Sequence, residues 1–486
     1  MISAVVFGFA LALTTLLWRM VSLPTSRPRQ IPTIPFWISL FDYCRGYGRL
    51  AFYDYRLRPL LEAHGAVNVW IAGHWSILVT KPAYLVEIFR NEHIIAKAGF
   101  RTKVPWGVFA RYFGESVITS HGETWKVMHT IVQPAINRPI DMERMRYRTQ
   151  ELTSAISAQM QQSNKTPNGK TSLVIDELAQ RWTISIFGDF FLDMDCGRLD
   201  DNGSLLAQFS GLQSRMKRSF PSPIFSEFPM LEKFPWLFKS RQKAFENIDQ
   251  FEELLLQSTA KISREYAKDE NKNKLIYQLK EARESGVMSE YHYRSNMKNL
   301  FAAGHEDVEQ AFISLIWTLS VNQNLQDRLR QEIDQNLPLE YNASDLKGLP
   351  FLSAAVYEIF RLFPPIFQLT NRITLQPTMI GDIPVPAGVY IGWNAYGVQT
   401  NPEIWGDDAK KFRPERWGHT AADVHMMWRT QQAKGNLITF NGYKRKCLGA
   451  NFAVVQLMTG MCEMVRQFTW TADPSYKFQV TTVSFY

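Results

Sequence analysis

Residues 437–453 read LITFNGYKRKCLGANFA and set Cys447 behind a basic loop that contains Gly442, just ahead of Gly449 and a helical run. A cysteine at the entrance of a helix sees the positive end of the helix dipole and nearby backbone N–H groups, which favour thiolate over thiol. Lys444, Arg445 and Lys446 add positive charge in the same sense. Thiolate is the form that ligates iron. The other three cysteines, Cys44, Cys196 and Cys462, form no CxxC pair with it or with one another. Neither a disulfide framework nor a zinc site is indicated, and each is read as a small buried apolar residue.

Upstream, residues 353–365 read SAAVYEIFRLFPP, with Glu358 and Arg361 three apart on one helix face, where carboxylate and guanidinium can pair. Pro364 and Pro365 stop that helix, and FRPERW at 412–417 supplies Arg416. Residues 299–310, NLFAAGHEDVEQ, carry Gly304 in mid-helix, a cost of roughly 1 kcal/mol against alanine that asks for a reason. Room for a small ligand such as dioxygen is the reason expected here.

Together these segments resemble the cytochrome P-450 family of haem-thiolate monooxygenases. Phe440, Arg445, Cys447 and Gly449 match its haem-binding loop in register, with Tyr443 where the family usually has glycine and Gly442 one position earlier. The resemblance implies haem b, with Cys447 as the axial iron ligand, Phe440 packed near the sulfur, and Arg445 on a propionate. Arg372 resembles the second propionate arginine. Trp125 and His129, in GETWKVMH, stand where a tryptophan and an arginine usually hold the other propionate. Histidine there gives up the permanent charge, so haem retention is expected to vary with pH. Glu358, Arg361 and Arg416 resemble the family's structural triad. In the oxygen-side helix Ala303, Gly304 and Glu306 match, but Asp307 replaces the threonine that relays protons. Asp307, with Glu306, is expected to take over that delivery through a water. An acid followed by a non-threonine residue resembles certain fungal members, the dityrosine-forming type among them.

The chain has 486 residues and 24 prolines, without repeats or low-complexity linkers, which points to one large domain. Its net charge of +8, from 54 basic against 46 acidic residues, is mild for this size and does not indicate nucleic acid. Residues 2–18, ISAVVFGFALALTTLLW, are uncharged and long enough for a single membrane anchor. Arg19, Arg27 and Arg29 follow and place the body on the cytosolic side, as in an endoplasmic-reticulum protein with one pass. Three regions result: an anchor over 1–19, a proline-rich spacer over 20–36, and a catalytic body over 37–486. The aromatic and proline-rich stretch 220–238 is expected to touch lipid, to cover a cavity, or both.

Alternation of apolar and polar residues over 67–80 predicts a hairpin turning at Gly73-His74. Helical spacing recurs at 242–266, 295–319, 325–337, 352–362 and 450–468, with strand-like pieces near 379–383 and 477–485. The expected class is α+β, mainly α-helical, with small marginal sheets. Pocket walls implied by the resemblance are 103–113, the Phe220 region, 301–304 and 367–369, many of them aromatic, so an apolar and aromatic substrate is expected. No flavin or nicotinamide motif is found. Electrons are expected from an NADPH-cytochrome P-450 reductase, docking on Lys410, Lys411, Lys444 and Lys446. Oxidative coupling or dehydration at the same haem, and a sensor without turnover, are the rival readings.

Overall fold

The alternation at 67–80 forms a hairpin. Strands β1 (Ala66–Ile71) and β2 (His74–Val79) pair antiparallel, with Ile71 opposite His74. The turn falls one residue earlier than expected, on Ala72 and Gly73, whose φ angles are 51° and 76°. Positive φ at both positions matches the twist of the flanking strands. A five-stranded sheet grows from this hairpin through β3 (Ile95–Lys97), β4 (Gln368–Thr374) and β7 (Tyr390–Asn394), in the order β1-β2-β7-β4-β3. Only β2 and β7 run parallel. A second, two-stranded sheet holds β5 (Thr378–Ile380) and β6 (Ile383–Val385).

The computed structural model describes residues 27–162, 171–220 and 222–476, with 7, 8, 11, 14, 15, 18 and 22–24 near the amino terminus. The expected anchor lies largely, and the expected strand at 477–485 wholly, outside the described residues. Among the described residues no helix is long and apolar enough to cross a membrane.

Helices fill most of what remains. The five periodic segments appear as Lys239–Ala260, Glu290–Ser320, Gln323–Asn336, Pro350–Leu362 and Ala450–Gln467. The Glu290–Ser320 helix is 31 residues long and opens on Ser289, whose hydroxyl accepts from His292 N at 3.2 Å. It runs through the main core, packed against the Asp176–Leu192 helix, with Phe301, Phe312 and Leu315 fully buried. Its buried residues include polar ones, Asn296, Lys298 and Asn299 among them, which bond to neighbouring elements rather than to water. It also passes close to the cysteine loop, and that crossing sets the site.

Candidate haem-thiolate site

The main chain closes the loop ahead of the cysteine. Cys447 N donates to Phe440 O at 2.9 Å, and Lys446 N to Tyr443 O at 3.1 Å. Tyr443 has φ +54°, the left-handed region that costs a side chain roughly 1–2 kcal/mol. Arg90 holds it there, donating to the phenol oxygen at 2.8 Å with its guanidinium 5.1 Å from the ring centroid. The turn therefore keeps a glycine-like backbone at Tyr443. Phe440 is buried, edge-on to Phe360 at 4.9 Å.

The Cys447 side chain is open to a water-sized molecule although protein surrounds it, as on the wall of an internal cleft. Burial pushes its thiol up to about 11, opposed by backbone N–H groups of Gly449 and Ala450 and by Lys446. Asp307, across the cleft on the Glu290–Ser320 helix, pushes it up further. The expected stabilisation of thiolate is thus present but outweighed. Of the three basic neighbours, Lys446 alone is among the groups that act on the sulfur, because Arg445 turns away. Metal coordination, which releases the thiol proton, would favour the thiolate further.

Behind the loop sits the triad. Glu358 and Arg361 are both fully buried, and Glu358 Oε1 accepts from Arg361 Nη2 at 2.7 Å, Arg416 Nε at 2.9 Å and Arg413 N at 3.1 Å. Its Oε2 accepts from Arg361 Nε at 2.8 Å and Trp417 Nε1 at 3.0 Å. Gln399, which sequence reasoning missed, joins this cluster to the cysteine loop. Its Nε2 donates to Phe360 O and Arg361 O, and its Oε1 accepts from Ile438 N at 2.9 Å and the Thr439 hydroxyl at 2.9 Å. A buried amide satisfied on both ends fixes the loop rigidly to the helix.

Beside the loop lies a group of buried cations. Arg372 is fully buried on β4 and faces Lys97 across the β3–β4 pairing. Arg445 Nη2 donates to Ser120 O at 2.9 Å, and its guanidinium lies 4.7 Å from the Trp125 ring centroid. His129 packs against Trp125 with centroids 4.7 Å apart and rings tilted by 47°, and burial followed by the charge of Arg445 lowers its pKa. One carboxylate, Glu92, pairs with both arginines, with Arg372 directly and with Arg445 at 3.5 Å. Lys97 and Glu92 were missed as well; the strand register that brings Lys97 to Arg372 was the only signal for it.

These residues fit haem. Arg372 Nε and Nη2 and Arg445 Nη1 are buried without hydrogen-bond acceptors, and burial lowers both guanidinium pKa values, Arg445 adding to the effect on Arg372. Unsatisfied buried guanidinium donors call for anions, and a porphyrin's two propionates are of that chemistry. A Cβ built on Gly449 meets nothing within 4 Å, which leaves the approach to the sulfur clear.

On the Glu290–Ser320 helix Ala303 is exposed, and Gly304 and, one turn on from Ala303, Asp307 are half-buried, among buried neighbours. Gly304 is not the dioxygen space that was expected. A Cβ there would lie 2.1 Å from the Phe187 ring, so the glycine admits a packed aromatic from the neighbouring helix. Gly304→Ala is expected to destabilise by about 1–3 kcal/mol in chemical unfolding, overpacking outweighing alanine's helix preference, and Phe187→Leu beside it to restore part. An undiminished single variant would refute this packing account. Phe301 and Phe367 likewise belong to the core, Phe301 against Phe209 and Phe251, Phe367 against Tyr53 and Tyr396. Of the expected walls, Phe109 and Phe113 stack with Phe100, with centroids 5.1 to 6.3 Å apart, and Phe220 lies 5.3 Å from Phe109.

Glu306 is buried and feels the charges of Lys217, Glu309 and Asp307, and its own charge acts on Tyr112. Lys217 Nζ bonds both oxygens of Glu309 at 3.2 Å. Burial pushes Glu306 up to about 7 and Asp307 up to about 6, with Lys217 opposing both.

Comparison with known proteins agrees with this geometry. The chain is 37% identical over 461 residues to cytochrome P450 monooxygenase xanG of Aspergillus fumigatus, covering 94% of this chain and 85% of that one. It is 29% identical to cytochrome P450-DIT2 of Saccharomyces cerevisiae, over 94% of this chain and 91% of that one. The crystal structure of the cytochrome P450DA heme domain superposes with a TM-score of 0.72 at 15% identity, covering 92% of this chain and 93% of that one, a likeness of fold. The family model described as Cytochrome P450 matches residues 28–482. The chain belongs to the cytochrome P450 family, oxidoreductases that bind haem b through a cysteine thiolate and incorporate oxygen from O2 into an organic substrate with electrons from a redox partner.

Proposed function

We propose that the protein is a fungal monooxygenase of secondary metabolism that oxidises an apolar, aromatic, tyrosine-derived small molecule, with an NADPH-cytochrome P-450 reductase as electron donor. The observation that carries this reading is the Cys447 loop facing Asp307 of the Glu290–Ser320 helix beside buried guanidinium donors; Phe109 and Phe113, which the resemblance places among the pocket walls, stack with Phe100 in a way that suits a flat aromatic ring. The names of the two fungal relatives support the class. Haem ligated by a thiolate supplies, when bound, the electron push that favours O–O cleavage. The residues of the chain do the rest. Cys447 holds the iron; Arg445, Arg372, Trp125 and His129 hold the propionate edge, joined by Lys97. Phe440 and Gly449 shape the sulfur's surroundings, and Glu358, Arg361 and Arg416 brace them.

Asp307 holds a proton at the cleft, and Glu306 with Glu309 and Lys217 forms the polar group behind it. A carboxylic acid placed within one water of the reacting atom delivers protons as a hydroxyl does. Asp307→Ala is expected to lower the rate of product formation by about 10²–10⁴-fold, the range of a positioned acid–base group, while NADPH oxidation continues. Unchanged product per NADPH would exclude this role. Burial raises the pKa values of Asp307 and Glu306 to about 6 and 7, so the yield falls as pH rises through that window. The sign for stability is the same: both carboxyls bind their protons more tightly folded than unfolded, so they cost stability above the ordinary carboxylate range. Asp307→Asn therefore stabilises at pH 8 and not at pH 4.

Two further features support a microsomal setting. Trp37, Phe41, Ile224, Phe234, Trp236 and Leu237 are exposed, and their two segments meet where Phe36 packs on Phe228 at 5.7 Å. Such a patch suits the surface of a bilayer beside an anchor over 1–19 and a spacer over 20–36, with the catalytic body over 37–486 on the cytosolic face of the endoplasmic reticulum. Lys410, Lys411, Lys444 and Lys446 are exposed on the thiolate side and suit an acidic reductase. Co-expression with a reductase and mass spectrometry of products from aromatic amino-acid-derived metabolites tests the function: inserted oxygen supports it, whereas coupled or dehydrated products without inserted oxygen select the coupling alternative.

A further inference from the structure

A single turn makes three links to the cysteine loop and the cations beside it. Residues 91–94 join the Pro82–Arg90 helix to β3 and close on Asn91 O, which accepts from Ile94 N at 3.0 Å and Ile95 N at 2.7 Å. Arg90, just before the turn, holds Tyr443 of the loop. Lys97, just after it, lies opposite Arg372 in the strand register. Glu92, within it, reaches both arginines whose open donors suit propionates: Oε2 meets Arg372 Nη1 directly, and Oε1 lies 3.5 Å from Arg445 Nη1.

The two buried carboxylates of the site are held in different ways. Glu358 accepts from Arg361 twice, from Arg416, from Arg413 N and from Trp417, the pattern of a brace. Both oxygens of Glu92 are buried and neither completes a hydrogen bond, so it acts on the guanidiniums as a charge. Arg445 Nη1, the atom it faces, is one of the buried donors without an acceptor, as are Nε and Nη2 of Arg372. The carboxylate therefore stands beside donors that suit a propionate without satisfying them. Among the described residues no other carboxylate pairs with Arg372, Arg445 or Lys97. The charge of Arg445 acts on Arg372 and on Lys97, and that of Lys103 on Lys97 as well. In such a buried set of like charges one anion carries weight, because a dry interior screens poorly.

We propose that Glu92 is a positioning residue for haem that acts through Arg372 and Arg445: it shares the two guanidiniums with the propionates, and thereby loosens haem retention and lowers the reduction potential of the iron. This goes beyond the proposed function and rests on its haem-thiolate reading. Without the Glu92 charge the guanidiniums answer to the propionates alone, and charge-assisted bonds to those anions strengthen. The same loss of a negative charge favours the added electron of ferrous over ferric iron, burial and local charge being among the protein's means of tuning a haem.

The test uses the haem-loaded full chain and two measurements other than turnover: haem transfer to an excess of apomyoglobin, and a redox titration that follows the Soret band. Glu92→Gln keeps the size and removes the charge. It is expected to slow haem release at least about threefold, a modest share of the Coulomb energy of one buried charge, and to shift the reduction potential upward. Lys97→Met, which removes a cation from the same set, is expected to do the reverse in both measurements. The double variant should lie near the parent, the two charge changes cancelling. A Glu92→Gln variant that matches the parent in both measurements overturns the proposal. So does one that releases haem faster or fails to take it up, because Glu92 would then be a brace like Glu358. Shifts of the same sign for Lys97→Met and Glu92→Gln overturn it too, since charge would not be what the pair shares. A parent without a thiolate-type ferrous–carbon monoxide band fails at the haem-thiolate reading itself, and that band is recorded before any variant is compared.

Discussion

Cys447→Ser is expected to abolish the long-wavelength Soret band of the ferrous–carbon monoxide complex and to reduce reductase-supported product formation to background. The argument is that the substitution removes the sulfur and little else. The loop is closed by main-chain bonds, Cys447 N to Phe440 O and Lys446 N to Tyr443 O, which serine keeps. Its outer turn is fixed by Arg90 on Tyr443 and its root by Gln399 on Ile438 and Thr439. Stability should change by about 1 kcal/mol at most, the scale of a small substitution outside a packed core. What serine cannot supply is a soft anionic ligand, because thiolate is the form that binds iron and a hydroxyl gives up its proton far less readily. A serine variant that kept the thiolate-type band would remove Cys447 from the iron, and the roles assigned around it with it.

How much of this was legible in the sequence follows from how local each signal is. The cysteine loop and the Glu358–Arg361 pair could be read because their partners lie within a few residues, where turn and helix geometry settle who meets whom. The hairpin at 67–80 was legible for the same reason, and it missed only by one residue because Ala72, not His74, takes the left-handed position. Lys97, Glu92 and Gln399 were not legible. Each gains its role from a register or crossing set by the whole fold: Lys97 from β3 lying on β4, Gln399 from the approach of the loop to the end of the Pro350–Leu362 helix. Gly304 was misread for a related reason. A glycine in mid-helix signals close approach, but the sequence does not say of what, and Phe187 fills the space that dioxygen was expected to use. The helix entrance and Lys446 act on the thiol in the sense read from the sequence, whereas the burial that opposes them is not visible there.

Glu358→Ala is expected to produce the largest loss of stability of any single substitution in the site, about 3–5 kcal/mol by chemical unfolding, the usual result of removing one partner from a buried ion pair. Every side-chain donor that loses its acceptor is itself buried or nearly so. The Arg361 side chain is 0% and Arg416 5% exposed, and the Trp417 ring is fully buried. Arg361 would retain Gln399 O and Ala409 O, the latter at 2.7 Å, but carbonyls do not neutralise a guanidinium and water has no room to do so. Glu358→Gln, which preserves shape and one acceptor while losing the charge, should fall between parent and alanine variant. The double variant Glu358→Ala with Arg361→Met should lose less than the sum of the singles, since it removes an uncompensated charge along with its partner. Because Gln399 couples Arg361 to Ile438 and Thr439, the alanine variant should also release haem faster than the parent, measured by transfer to an excess of apomyoglobin. Stability within about 1 kcal/mol of the parent, together with an unchanged haem release rate, would mean that the cluster neither braces the fold nor reaches the loop through Gln399.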